Sequence, residues 1–253
     1  MHVFFVFAAL ASPINGAFFA ENGYVINVHY SDASGLIFVN GIPVQRLQAG
    51  VSSSVQFQPH PLLQAGKNSI RFDGTAKKIE LFVRLVPARK MPDEGETVAK
   101  LTSPGSTHFE VLKSHVPEYP WSRGSRVDET DCAQAQTLAA QMHGFRTAHD
   151  GDGYLASSGV ALQTRVLAFP GVPLERLRKT TRTKVARKYE DTYAVDAVGA
   201  TTCTISESKR LITVTKKGWH GYFVAKDQDF GTYWVEGYVF MKQNGALRLA
   251  VIQ

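Results

Sequence analysis

Between Leu174 and Lys188 the chain carries Arg176, Arg178, Lys179, Arg182, Lys184, Arg187 and Lys188 against a single carboxylate, Glu175. The 253-residue chain holds 28 Lys and Arg against 22 Asp and Glu; without this segment's seven cations and one anion, 21 of each remain. The net charge of +6 therefore sits on one element. A field concentrated in this way steers an anionic partner, so the chemistry it suggests is binding rather than bond breaking. The competing interpretation is an ordinary solvated helix face. At 100° per residue the charges spread around most of a helix, and Arg178 and Lys188 border its apolar side, where their stems can lie along it.

Other groups with chemical potential are scattered. Asp150-Gly-Asp-Gly153, beside His149, places carboxylates at alternate positions. A calcium loop needs further oxygen ligands and a terminal acidic residue, and Tyr154 to Gly159 supply none. The segment reads as a turn after a helix, and Asp227-Gln-Asp-Phe-Gly231 reads as a turn between strands. The eight histidines form no His-Glu-x-x-His and no paired Cys/His spacing, so no metal site is expected. Neither a Gly-x-Ser-x-Gly elbow, a phosphate loop nor a dinucleotide fingerprint occurs, and no cofactor is expected. Tyr189, Asp191, Tyr193, His220, Tyr222 and Glu236 are residue types able to act as acid or base in a C-terminal pocket. Their spacing singles out no pair, and no catalytic residue is assigned.

The elements that must position these residues change character along the chain. From Tyr24 to Leu85 the apolar period is two: Tyr24, Ile26, Val28 and Tyr30; Val51, Ser53, Val55 and Phe57; Ile79, Leu81, Val83 and Leu85. Such alternation gives strands with one face to a core. Asn40-Gly41 between Leu36–Val39 and Ile42–Val44 predicts a hairpin with a type I′ turn. Ala65-Gly-Lys-Asn68 predicts a second tight turn ahead of Ile70-Arg-Phe72. Two further edge strands are expected at Thr97–Leu101 and Phe109–Lys113. Together these runs predict an antiparallel all-β sandwich over residues 21–122.

Beyond residue 122 the period becomes helical. Asp128-Glu-Thr-Asp131 is a helix-start signal, followed by Ala135, Leu138, Met142 and Phe145 at helical spacing. A second helix is expected from Leu174 to Tyr189, with Leu177, Thr181 and Val185 on one face. After Gly199 strands are expected at Cys203–Ile205, Leu211–Thr215, Gly221–Ala225, Tyr233–Met241 and Leu247–Ile252. Helices followed by an antiparallel meander predict an α+β domain over residues 123–253, its helices packed on one face of a curved sheet.

At the N-terminus, Val3-Phe-Phe-Val-Phe-Ala-Ala-Leu-Ala11, broken by Ser12-Pro13 and followed by Gly16-Ala17 and Ala20, has the layout of a secretory signal peptide over residues 1–20. It lacks the basic residues that usually precede the apolar core, and a buried N-terminal strand is the other interpretation. No later run of eighteen apolar residues exists, so no transmembrane segment is expected after signal removal. The two cysteines, Cys132 and Cys203, allow one disulfide in an exported protein, or are two separate small core residues.

The Val39-Asn-Gly-Ile-Pro-Val44 hairpin, the Leu63-x-x-Gly-Lys-Asn-x-Ile70 turn and the Val116-Pro-x-x-Pro-Trp121 exit resemble a group of uncharacterised exported bacterial proteins, in which a small sandwich precedes an α+β domain. The Asn-Gly-x-x-Val and Gly-x-Asn-x-Ile pieces also occur in accessory sandwich domains of glycosidases. The helix–helix–meander order is similar to the cone-shaped nuclear-transport-factor-2-like fold. The resemblance implies a periplasmic or secreted location and no particular activity. The expectation is an exported, non-catalytic binding or accessory protein whose basic helix takes an acidic protein or an anionic envelope polymer, not nucleic acid. The alternatives are a periplasmic enzyme working from a C-terminal pocket and an immunity-type inhibitor of a secreted enzyme.

Overall fold

A computed structural model describes residues 23–88, 90–187, 193–227 and 233–253. The described residues are β-rich, built from antiparallel sheets and four α-helices. It divides into two compact units, Met1–Pro117 and Glu118–Gln253. The leader expected over residues 1–20 lies outside the described residues.

In the first unit two long strands, β1 (Gly23–Val39) and β4 (Gly66–Val86), run antiparallel from the Gly23–Val86 pair to the Val39–Ile70 pair. Four short strands flank this ribbon. β2 (Ile42–Leu47) and β3 (Ser52–Phe57) each pair with a different half of β1, and β5 (Glu96–Leu101) and β6 (Gly105–Val111) each pair with a different half of β4. Each half of the ribbon is thus the middle of a four-strand array. Val55, Val28, Leu81 and Leu101 stand side by side across one array, and all four are buried. The neighbouring row, Asn27, Phe82 and Lys100, faces the other way, as the pleat requires; there Lys100 Nζ lies 5.0 Å over the Phe82 ring. The ribbon exchanges its flanking strands near Gly35 and Gly74, which are paired. A Cβ on either would sit 2.1 Å from a backbone oxygen of the facing strand, so only glycine permits this approach.

The Asn40-Gly41 turn has φ of 51° and 82°, the two positive values a type I′ hairpin needs. Asn40 does more than turn the chain. Its Nδ2 donates to Leu62 O at 2.9 Å and to Asn68 Oδ1 at 2.8 Å, and its Oδ1 accepts the Ser69 N–H at 2.8 Å. Asn68 Nδ2 donates in turn to the Gln64 and Gly66 carbonyls, each at 2.8 Å. The two turn motifs are one buried, satisfied amide bracket joining residues 28 apart, and such networks fix a unique core arrangement.

The second unit contains α1 (Cys132–Thr147), α2 (Gly151–Ser157), α3 (Gly159–Ala168) and α4 (Leu174–Ala186). Its strands are β7 (Tyr193–Val195), β8 (Thr201–Ile205), β9 (Leu211–Lys216), β10 (Phe223–Asp227), β11 (Tyr233–Glu236), β12 (Tyr238–Gln243) and β13 (Ala246–Ile252). They form two sheets, ordered β13-β12-β9-β8 and β11-β10-β7. The simple meander expected from sequence does not occur, because β9 pairs with β12 rather than with β10. The run expected as one strand over Tyr233–Met241 is broken at Gly237, whose N–H and C=O bond to Gln253 at 3.2 and 3.0 Å. Ala135, Ala139 and Met142 of α1 share a core with Ile212, Val214, Tyr238, Phe240, Leu247 and Leu249. A disulfide joins Cys132 at the start of α1 to Cys203 of β8, Cα atoms 6.0 Å apart.

Candidate functional site

Pro173 precedes α4, and Leu177 and Val185 are its buried side chains, with Thr181 half-buried between them. The helix ends at Ala186; Lys188 and Tyr189 lie outside the described residues. Arg176, Arg178, Lys179, Arg182 and Arg187 are exposed, and Lys184 is half-buried. Burial first, then the nearby Arg165 and Arg146 charges, hold the Lys184 pKa below its ordinary value. Arg182 meets Asp152 of α2 at 2.5 Å, an open pair of the kind that adds little stability. Among the described residues Arg176, Arg178 and Lys179 make no ion pair. At 100° per residue, Arg178, Arg182, Lys179 and Arg176 follow one another across an arc of roughly 160°, which starts beside Val185 and runs round the outward side of the helix. The structure therefore gathers four of the seven predicted cations on the outward arc and turns Lys184 inward.

Asp150-Gly-Asp-Gly153 is a helix start rather than the expected turn. Asp150 Oδ1 accepts the Gly153 N–H at 2.8 Å and caps α2, as an N-cap aspartate does. A Cβ on Gly151 would lie 2.8 Å from Arg182 O, so the glycine lets α2 approach α4. Asp150 caps, Gly151 and Gly153 allow close packing, and Asp152 points outward to Arg182. Among the described residues no group of three or more His, Cys, Asp or Glu is placed to hold a metal.

A second feature lies on the β11-β10-β7 sheet. Residues directly opposite one another share a face, and the register sets Trp234, Ala225 and Val195 in one row, Glu236 beside Phe223, and Tyr193 beside Asp227. The end of α1, with Arg146 and Thr147, and His149 lie over this face. Together with Tyr193, Val195, Phe223, Ala225 and Trp234 they enclose a cavity of about 170 Å³, partly open and mostly apolar in its walls. Arg146 is only 4 % exposed. Its guanidinium carbon stands 4.1 Å from the centre of the Trp234 ring and 5.6 Å from that of Phe223. Nη1 donates to Lys184 O at 2.7 Å, and Nε lies 3.7 Å from Glu236 Oε2. Glu236 Oε1 accepts the Tyr154 and Tyr238 hydroxyls at 2.6 and 2.9 Å. Burial first, and the Glu236 charge next, raise both tyrosine pKa values well above the ordinary one. They remain protonated donors, and the carboxylate is occupied by internal partners.

Of the acid–base candidates read from sequence, Tyr193 lines the cavity and Glu236 lies in the polar network at its base. Tyr222 packs instead in the core against Tyr238 and His143, and His220 is not among the lining residues. Tyr189 and Asp191 lie outside the described residues. Sequence reasoning missed Arg146, Phe223 and Trp234. One signal was present: Ala135, Ala139, Met142 and Arg146 follow helical spacing, which puts an arginine on an otherwise apolar stripe.

Comparison with protein families, with curated proteins and with solved structures finds no match to this chain. Among the described residues no helix is long and apolar enough to cross a membrane.

Proposed function

We propose that the protein is an exported, non-catalytic binding or accessory protein that holds an acidic partner, an acidic protein or an anionic envelope polymer, on the outward arc of α4. The observation that carries this is the exposed trio Arg176, Arg178 and Lys179, which makes no ion pair among the described residues, on the helix that forms most of the segment 174–188, whose charge equals the chain's net +6. A field of that kind raises the encounter rate with an anionic surface and fixes its register. The Cys132–Cys203 disulfide favours an oxidising compartment, in keeping with the leader-like N-terminus. The order of helices and antiparallel strands is compatible with a nuclear-transport-factor-2-like layout, and the first unit with a sandwich platform. Catalysis from the C-terminal cavity gains less support: beneath its apolar walls, Arg146 and Glu236 are held by partners within the fold.

The test is charge reversal. Arg176→Glu, Arg178→Glu and Lys179→Glu together alter exposed side chains and leave the fold intact, checked by circular dichroism. Binding of wild type and variant is measured with poly-glutamate, standing for an acidic protein surface, and with polyphosphate, standing for an anionic polymer. The wild type binds one of them with an affinity that falls as salt rises, and the variant binds it roughly tenfold more weakly or worse. Equal binding by the two proteins removes α4 from the account.

A further inference from the structure

We propose that the cavity over the β11-β10-β7 sheet is a binding site for a neutral aromatic ring carrying at most small substituents. This site is separate from the charged arc of α4, and the argument for it does not depend on that arc.

Ala225 occupies the middle of a cross-strand row between Trp234 and Val195, and the same face carries Phe223 and Tyr193. Ala225 and Phe223 are buried, so the accessible wall of this partly open recess comes from Val195, which is 43 % exposed, and from the half-buried Tyr193 and Trp234. The void of about 170 Å³ is close to that of an engineered apolar cavity of about 150 Å³ that stays dry and takes up benzene.

The walls specify the class of ligand. Tyr193, Phe223 and Trp234 offer ring faces and edges, which favour an aromatic guest in offset or edge-on contact. The lining is mostly apolar, so a polar guest would give up its hydration without recovering hydrogen bonds. Arg146 brings no uncompensated charge: its guanidinium donates to Lys184 O, faces Glu236 and covers Trp234. A guest of either charge therefore meets a floor that is already neutralised and gives up its hydration without gaining a counter-charge. Both are selected against relative to a neutral ring.

The intact protein is titrated with toluene, benzoate and benzylammonium, followed by ligand-observed NMR and by tryptophan fluorescence. A fourth titration uses N-acetyl-phenylalanine amide, which presents the same ring as a peptide side chain. Toluene is expected to bind, with benzoate and benzylammonium at least tenfold weaker. Binding of the phenylalanine amide as tight as that of toluene identifies a peptide side chain as the source of the ring; weaker binding identifies a free small molecule. Val195→Phe narrows the cavity from a position that is 43 % exposed and should weaken toluene binding tenfold or more while the unfolding temperature stays level. If that variant does not fold, Thr147→Phe narrows the cavity from an exposed lining position on α1 and is expected to weaken toluene binding in the same way. Absence of toluene binding to the wild type, binding unchanged in the narrowed variant, or equal binding of all three charge types overturns the proposal.

Discussion

Lowering the pH from 7.5 to 5 should weaken the first unit through His60. This imidazole is 4 % exposed, and its Nε2 accepts the Tyr24 N–H at 2.8 Å, a role open only to the neutral ring. The Tyr24 ring lies tilted to it with centroids 6.1 Å apart, and its hydroxyl lies 3.2 Å from His115 Nδ1. Burial, with His115 adding to it, lowers the His60 pKa from 6.5 to about 4. Between those values the unfolded chain binds a proton that the folded chain refuses. The stability contributed by the neutral imidazole is therefore complete above pH 6.5 and is lost as the pH falls toward 4. At 1.36 kcal/mol per pH unit the full effect is about 3 kcal/mol, and about 2 kcal/mol of it is gone by pH 5.

The assay must separate the two units. Trp121, Trp219 and Trp234 are the chain's three tryptophans and all lie beyond Pro117, so their fluorescence reports the second unit. Hydrogen exchange of peptides from β1 and β4, followed through urea unfolding, reports the first. His143 in α1 is half-buried, and its pKa is lowered by burial and then by Lys216, which gives the second unit a slope of the same sign. His60→Gln keeps an acceptor for the Tyr24 N–H and removes the titration. The variant should lose about 2 kcal/mol less than wild type in the first unit between pH 7.5 and 5. Identical pH slopes in variant and wild type refute the reasoning, because the carboxylates are common to both.

Two other perturbations probe the second unit, beside the charge reversal on α4 and the ring titration of the cavity. Replacing Cys132 and Cys203 by serine opens a closure across 71 residues; loop entropy sets the loss near 4 kcal/mol. Tryptophan fluorescence should show the unfolding temperature falling by about 15 °C, with exchange in the first unit unchanged. Glu236→Gln removes the charge facing Arg146 but keeps an oxygen for Tyr154 and Tyr238, and should cost about 3–5 kcal/mol. Arg146→Met combined with Glu236→Gln should lose less than the two single variants summed in urea unfolding, and an additive double variant would show that the two groups do not act as a pair.

Much of the β architecture was legible because strand periodicity is local. The Ile79, Leu81, Val83 alternation and the Asn40-Gly41 turn each state their geometry within a few residues. What the sequence hid is non-local. Asn40 and Asn68 read as two turn residues, and only the fold brings their amides within 2.8 Å. The helices α2 and α3 were missed because Gly151, Gly153 and Gly159 lower helix propensity, while the Asp150 cap and close packing against α4 outweigh it. The break at Gly237 depends on bonds to Gln253 at the far end of β13. The cavity was invisible for a related reason: its lining comes from the end of α1, from His149 and from three different strands, which no single strand records. On α4 the charge total was readable, but which cations point outward was fixed only by how Leu177 and Val185 pack.

The Arg146–Glu236 pair joins these two candidate surfaces to one scaffold. A buried ion pair often contributes little net stability compared with apolar side chains of similar size, so its value here lies in position. Arg146 fixes the last turn of α4 through Lys184 O, one wall of the cavity through Trp234, and β11 through Glu236. Tyr154 of α2 and Tyr238 of β12 lock the carboxylate from the other side. An apolar replacement would fill the same space without specifying how far α4 lies from the sheet, or which face of Trp234 meets the void. The pair therefore acts as a positioning device, holding the charged arc of α4 and the aromatic cavity at fixed places on the second unit.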